Sequence, residues 1–149
     1  MQAQILAPAA VLIGWSLVML AWLAFTRFPA MGKLDPATLN AKPGGRGQDL
    51  EGRIPDKVNW KSHNYTHLME QPTIFYPTVI ILAMMGTGTL DVIFAWAYVA
   101  LRIVHSIYQA TVNIAMVRFG IFALSTLCLI KLVVSAIMVT VFANPGVVS

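Results

Sequence analysis

Four long apolar segments limit the folds available to this chain. They cover about residues 5–28, 63–85, 90–111 and 116–142. Each is long enough to cross a hydrocarbon core of about 30 Å as a helix rising about 1.5 Å per residue. The chain is 58% hydrophobic and 11% charged, whereas a soluble domain is about 45–50% apolar and about 25% charged. The sequence therefore predicts an all-α integral membrane four-helix bundle that forms one domain over residues 1–149.

One polar connection, residues 29–60, separates the first two spans. It contains the glycine-rich stretch K-P-G-G-R-G, but it lacks the strand, the G-K-[ST] ending and the helix that a phosphate-binding loop requires. Seven of the ten Lys and Arg residues lie between Arg27 and Lys61, without the pattern of basic and aromatic residues that is typical of nucleic-acid binding. We therefore expect a cytoplasmic loop and no nucleic-acid partner.

The charge distribution also predicts the orientation in the membrane. The two tails and the turn near Gly86 carry no Lys or Arg, so the positive-inside rule places both termini outside, in the periplasm if the membrane is a bacterial inner membrane. In that orientation the start of the second span, the end of the third span and Arg118 meet at the cytoplasmic face.

The second span begins with polar residues that are costly in a membrane. His63, His67 and Glu70 follow one another at i, i+4 and i+7, which places them on one face of a helix, and Asn64 lies beside them. A carboxylate near the centre of a membrane helix costs about 2.5 kcal/mol or more, so such groups face other helices or a water-filled cavity and indicate a function. Pro72 and Pro77 predict a kink farther along the span.

Two cations lie deep in the later spans. Arg102 is near the middle of the third span, and Glu70 is the candidate carboxylate nearby, so we predict an interhelical Glu70–Arg102 ion pair. Asp91 is expected near the N-terminus of the third helix, where a carboxylate complements the helix dipole. That assignment leaves Lys131, in the middle of the fourth span, without an acidic partner.

Two spaced motifs resemble one known family. The second span follows the pattern N-[FY]-x-[NH]-x-x-E-x-P-x-x-F-Y, and the third ends in L-R-x-x-H-S, followed by N-x-x-x-x-R. These patterns resemble MAPEG, the membrane-associated proteins of eicosanoid and glutathione metabolism, and in particular its bacterial members. The matching residues are Asn64, Tyr65, His67, Glu70, Pro72, Phe75 and Tyr76, then Leu101, Arg102, His105, Ser106, Asn113 and Arg118.

The resemblance implies a homotrimer that holds glutathione between neighbouring subunits near the cytoplasmic face. The bound thiolate then attacks a lipophilic electrophile or reduces a lipid hydroperoxide. By position, Arg118 is the catalytic arginine that stabilises the thiolate. The residues expected to bind glutathione are Arg27, His63, Asn64, His67, Glu70, Arg102 and Tyr108.

Two residues depart from the family pattern. His63 stands where the family has arginine, and His67 stands where it has asparagine. Histidine is largely neutral near pH 7 and lacks the bidentate fork of arginine, so we expect weaker glutathione binding or a different ligand.

Two other interpretations remain open. His63, His67 and Glu70 have the spacing of metal ligands along a helix, with His105 on the next span, and imidazole and carboxylate suit zinc, iron or manganese. Alternatively, the polar residues hold the helices together, each pair contributing about 0.6 kcal/mol. The protein is then a non-catalytic scaffold or an accessory subunit of a larger membrane complex.

Overall fold

The computed structural model of the chain describes residues 2–39 and 43–143, which are helical with short connections. The helices are α1 (Gln2–Met31), the short α2 (Pro36–Leu39), α3 (Asp56–Glu70), α4 (Pro72–Met85), α5 (Thr89–Thr111) and α6 (Ala115–Val141), with a 3-10 turn at Gly47–Leu50. Within the described residues, four segments are long and apolar enough to cross a membrane: α1, α3 with α4, α5, and α6. The chain is therefore an all-helical, multi-pass membrane protein.

The second span is longer than the apolar run predicts, and it is broken. Its helix begins at Asp56, inside the predicted loop, because Asp56 in the first turn suits the positive end of the helix dipole. The break falls at Gln71, since Pro72 lacks an N–H group and begins α4 as an N-terminal proline. Pro77 lies inside α4 without ending it.

The core lies between the four long segments. α1 packs against α3, α4 and α5, while α6 packs against α4 and, most extensively, α5. Phe75 and Tyr98 stack at the centre with ring centroids 4.4 Å apart. Large apolar side chains cover the outer surface, including Phe25, Met84 and Met116. An apolar surface of this kind suits contact with lipid.

The bundle has two ends of different chemistry. We call the loop end the end formed by the C-terminal part of α1, the first half of α3, the end of α5 and the start of α6. We call the turn end the opposite one, which contains residues 86–88. The polar residues of α3 belong to the loop end, and Asp91 belongs to the turn end.

The structure corrects the prediction that Lys131 has no acidic partner. Asp91 begins α5 as expected, and its Oδ2 accepts a hydrogen bond from the Gly88 amide at 2.9 Å. Its Oδ1 accepts a hydrogen bond from Lys131, whose ammonium also lies 5.4 Å from the centroid of the Phe94 ring. One carboxylate therefore both caps α5 and neutralises the cation of α6.

Candidate functional site

Side chains from α1, α3 and α5 meet at the loop end. Arg27 of α1 donates from Nη1 to the Ser62 hydroxyl at 3.0 Å. Asn64 of α3 donates to the Ser106 hydroxyl of α5 at 2.7 Å, and the Trp15 indole donates to the same oxygen at 2.9 Å. The start of the second span and the end of the third therefore meet, as the sequence predicts.

A pocket of about 180 Å³ opens between α3, α5 and α6. It is lined by His67, His105, Ala115, Arg118, Phe119 and Phe122. A guanidinium, two imidazoles and two phenyl rings thus share one small cavity, which suits a ligand with an anionic group and an apolar part. We call it the inter-helix pocket.

Arg118 is held in place by the connection between α5 and α6. Its Nη1 donates to Oδ1 of Asn113 at 2.6 Å. Asn113 has a φ of 60°, a left-handed conformation that asparagine tolerates better than most residues. The turn that reverses the chain therefore also positions the predicted catalytic arginine.

The predicted Glu70–Arg102 ion pair is wrong. Arg102 is 1% exposed and donates from Nη2 to the backbone carbonyl of His67 at 2.7 Å. Among the described residues, its Nε and Nη1 have no hydrogen-bond partner. The carboxylate of Glu70 instead contacts Nδ1 of His67 at 2.9 Å, and its side chain is 58% exposed. Glu70 lies on the exposed face at the end of α3, whereas Arg102 of α5 is buried inside the bundle.

The polar face of α3 therefore does not act as one cluster. His63 donates from Nε2 to Oε1 of Glu51, in the loop, at 2.8 Å. His67 pairs with Glu70 and lies edge-on to His105, with centroids 6.2 Å apart. No group of three or more His, Cys, Asp or Glu side chains within residues 2–39 and 43–143 is placed to hold a metal ion. The histidines whose spacing suggested a metal site thus make two separate contacts, His63 with Glu51 and His67 with Glu70.

A second pocket, the loop pocket, has a volume of about 190 Å³. Its walls come from the loop and from α3, and its lining residues are Gly47, Gln48, Glu51, Asn59, Ser62, His63, Thr66 and His67. Arg27 reaches this wall by donating from Nη2 to the Gly47 carbonyl. Because His67 lines both pockets, the two cavities are neighbours at the loop end.

The remaining predicted site residues are less central. Asn64 is fully buried and contacts Ser106 rather than a pocket. Tyr108, although partly exposed, lines neither of the two loop-end pockets in the described part of the chain.

Sequence reasoning missed several residues of the site. Glu51 and Gly47 come from a loop whose conformation no periodicity predicts, and Phe119 and Phe122 read as ordinary apolar residues of a span. Gln109 lines neither pocket, but it is fully buried, and neither of its amide atoms has a hydrogen-bond partner within the described residues. A polar residue in a span, close in sequence to Arg102 and His105, was the available signal for a functional region at this end of α5.

Comparison with known families and proteins gives one match. The model of the MAPEG family matches residues 5–138, which include every residue that lines the two loop-end pockets. No curated protein and no solved structure matches the chain.

Proposed function

Because the chain belongs to the MAPEG family, we propose that it is a glutathione-dependent transferase or peroxidase that acts on lipophilic electrophiles or hydroperoxides. The observation that carries this proposal is the inter-helix pocket, where Arg118 lies beside His67, His105 and two phenylalanines. The cation suits a thiolate, and the phenyl rings suit an apolar second substrate. The assembly proposed with this function is a homotrimer in the bacterial inner membrane with both termini in the periplasm.

Arg118 supplies the electrostatic part of the chemistry. A thiolate is the reactive form of a thiol, and an adjacent cation lowers the pKa of a thiol from about 8.5. In the transferase reaction the sulfur forms a bond to the electrophilic carbon, the leaving group departs with its electron pair, and the thiol proton passes to water. In the peroxidase reaction two thiols are oxidised to a disulfide, and the hydroperoxide is reduced to an alcohol and water.

The other loop-end residues hold the tripeptide in this proposal. Arg27 and His63 bind carboxylates at the loop pocket, and His67 and Glu70 bind polar groups where the two pockets adjoin. Arg102 contributes buried positive charge, and its two nitrogens without partners in the described chain support this role. Asn64 holds α3 against α5, and Tyr108 forms part of the outer wall that a neighbouring subunit completes.

A thermal-unfolding titration with glutathione in detergent tests the proposal. Saturation of a single site at 100 times the dissociation constant stabilises a protein by about 2.7 kcal/mol. The parent protein should show this shift, and Arg118→Ala should lose it. Lys57→Ala, which removes an exposed cation from the start of α3 outside both pockets, should keep it. No shift in the parent up to about 10 mM glutathione would overturn the proposal, since the binding energy is then only a few kcal/mol.

One observation favours the scaffold interpretation. Arg27 and His63 are expected to donate hydrogen bonds to the carboxylates of the ligand. They already donate to the Gly47 carbonyl and the Glu51 carboxylate, respectively. A scaffold predicts that glutathione leaves the melting curve unchanged, and that a partner co-purifies at a fixed ratio with the parent and with Arg118→Ala alike.

A further inference from the structure

A short segment of the loop forms one wall of the loop pocket, and we call residues 47–51 the strap. Residues Gly47–Leu50 form a 3-10 turn, which begins where the Arg46 amide donates to Oδ2 of Asp49 at 2.7 Å. Within the strap the Glu51 amide donates to the Gln48 carbonyl at 3.0 Å. The strap is therefore a small folded unit, and the buried side chain of Ile54 fixes the chain just beyond it.

The strap is docked at two points. The guanidinium of Arg27 donates to the Gly47 carbonyl, and the imidazole of His63 donates to the Glu51 carboxylate at 2.8 Å. A Cβ atom at position 47 would lie 2.8 Å from both Nη1 and Nη2 of Arg27, so a larger residue there would push the flexible guanidinium away from the Gly47 carbonyl. The second contact is exposed on both sides, with 43% of the His63 side chain and 55% of the Glu51 side chain accessible.

These two contacts have the chemistry of a bound ligand. A carboxylate against His63 and a carbonyl oxygen against Arg27 are the groups that a peptide with free carboxylates presents. Exposed ion pairs contribute little to stability, so a ligand that brings its own carboxylate can replace Glu51 without unfolding the bundle.

We propose that the strap is an autoinhibitory element whose Glu51 carboxylate takes the place beside His63 that the carboxylate of a ligand would take, so that a carboxylate-bearing ligand must displace it. This inference concerns the regulation of the proposed glutathione site and rests on that function for its ligand. The strap itself is a property of the free protein. When the binding-competent state is only partly populated, the apparent dissociation constant rises in inverse proportion to that population.

Amide hydrogen exchange of the free protein tests the docking. Glu51→Gln removes the charge that holds the strap, and Gly47→Ala displaces the Arg27 guanidinium by steric contact alone. Both should increase exchange across residues 47–53. Asp35→Asn makes the same chemical change as Glu51→Gln elsewhere in the loop, where Asp35 accepts only from the Ala37 amide among its described contacts, and it should leave the strap unchanged. Unchanged exchange in both strap variants would overturn the proposal whether or not glutathione binds.

Glutathione affinity tests the gating. Glu51→Gln and Gly47→Ala should each bind glutathione about three- to tenfold more tightly than the parent and Asp35→Asn, the gain expected if the strap is closed in most molecules. Equal affinities in a parent that does bind glutathione would show that the strap does not gate the site, and the proposal fails while the proposed function stands.

A third measurement tests whether carboxylates displace the strap, independently of whether glutathione is the ligand. Glutarate carries two carboxylates and no thiol, so it should increase strap exchange in the parent more than sodium chloride at equal ionic strength. If glutathione binds to no variant but glutarate opens the strap, the proposed function fails and the strap proposal stands. If neither compound changes the exchange, the strap is only a structural part of the loop and the proposal is overturned.

Discussion

The two ends of the bundle place charge in an apolar protein in opposite ways. At the turn end, both oxygens of Asp91 have partners, the Gly88 amide and the Lys131 ammonium. At the loop end, Arg102 is as deeply buried, yet two of its nitrogens lack partners in the described chain. A charge whose contacts are complete holds a structure together, whereas an incompletely paired cation favours an anion from outside. We therefore propose a structural role for the turn end and a binding role for the loop end.

The largest effect is expected on catalysis at the loop end. Arg118→Ala should lower kcat by about 10²–10³-fold, the range seen when one preorganised donor is removed from an active site. Its unfolding free energy should change by no more than about 1.5–3 kcal/mol, since within the described residues the guanidinium makes one hydrogen bond, to Asn113. Glutathione conjugation to an aryl halide, followed by absorbance, measures the first quantity, and thermal unfolding measures the second.

Arg118→Lys is the matched variant. It keeps the charge but loses the planar fork, so its rate should fall between those of the parent and Arg118→Ala. Full activity in Arg118→Ala would show that the arginine has no role in catalysis. The proposed difference in role between the loop end and the turn end would then lose its support.

The next effect is on stability at the turn end. Asp91→Asn should reduce the unfolding free energy by about 3 kcal/mol, because it leaves the Lys131 ammonium without its carboxylate in apolar surroundings. The double variant Asp91→Asn/Lys131→Met should recover most of the loss, since it removes the unpaired charge as well. Denaturation in mixed micelles measures both. A loss without recovery would assign the effect to the cap on Gly88 instead.

The sequence predicts the bundle well because the membrane fixes its helices. A helix must be long and apolar to span a bilayer, so the four long helical segments follow from the four apolar runs alone. The Asp91–Lys131 pair, which the sequence analysis missed, could also have been predicted. The two residues lie at similar distances before and after the 112–114 connection, so an antiparallel α5–α6 hairpin brings them together.

The site could be predicted only in part, for a different physical reason. Sequence pattern places Arg118 and His67 at the same end of the bundle, and the structure puts both in one pocket. The partner of Arg102 depends on the direction in which its side chain points. That partner is the backbone carbonyl of His67, one turn before the break at Gln71, and a backbone group cannot be predicted from residue types. The partner of His63 comes from a loop whose path depends on contacts remote in sequence.

A smaller effect is expected from Arg102→Met, which tests whether the buried loop-end cation supports the fold. The variant loses the hydrogen bond to the His67 carbonyl, and it also removes the N–H groups that lack partners. Each buried, unsatisfied group costs about 1–3 kcal/mol, so the two changes offset one another. The unfolding free energy should therefore change by less than about 1 kcal/mol, while glutathione affinity falls.

Arg102→Lys provides the comparison, since it keeps a positive charge at the same place. If Arg102→Met instead lost more than about 3 kcal/mol, Arg102 would have a complete set of partners in the assembled protein. The two ends would then no longer differ in how they satisfy charge.

The smallest effect is expected for the His67–Glu70 pair, in which an imidazole takes the place of the ammonium of the turn-end pair and the environment is more exposed. Its carboxylate side chain is 58% exposed, whereas that of Asp91 is 11% exposed. Exposed pairs contribute little to stability, so a double-mutant cycle with His67→Ala and Glu70→Gln should give a coupling free energy of about 0.2–1 kcal/mol. The corresponding cycle for Asp91 and Lys131 should give a value several times larger. A coupling above about 2 kcal/mol for His67 and Glu70 would mean that this surface is covered in the assembled protein, and a neighbouring subunit over the loop end would be the physical reason.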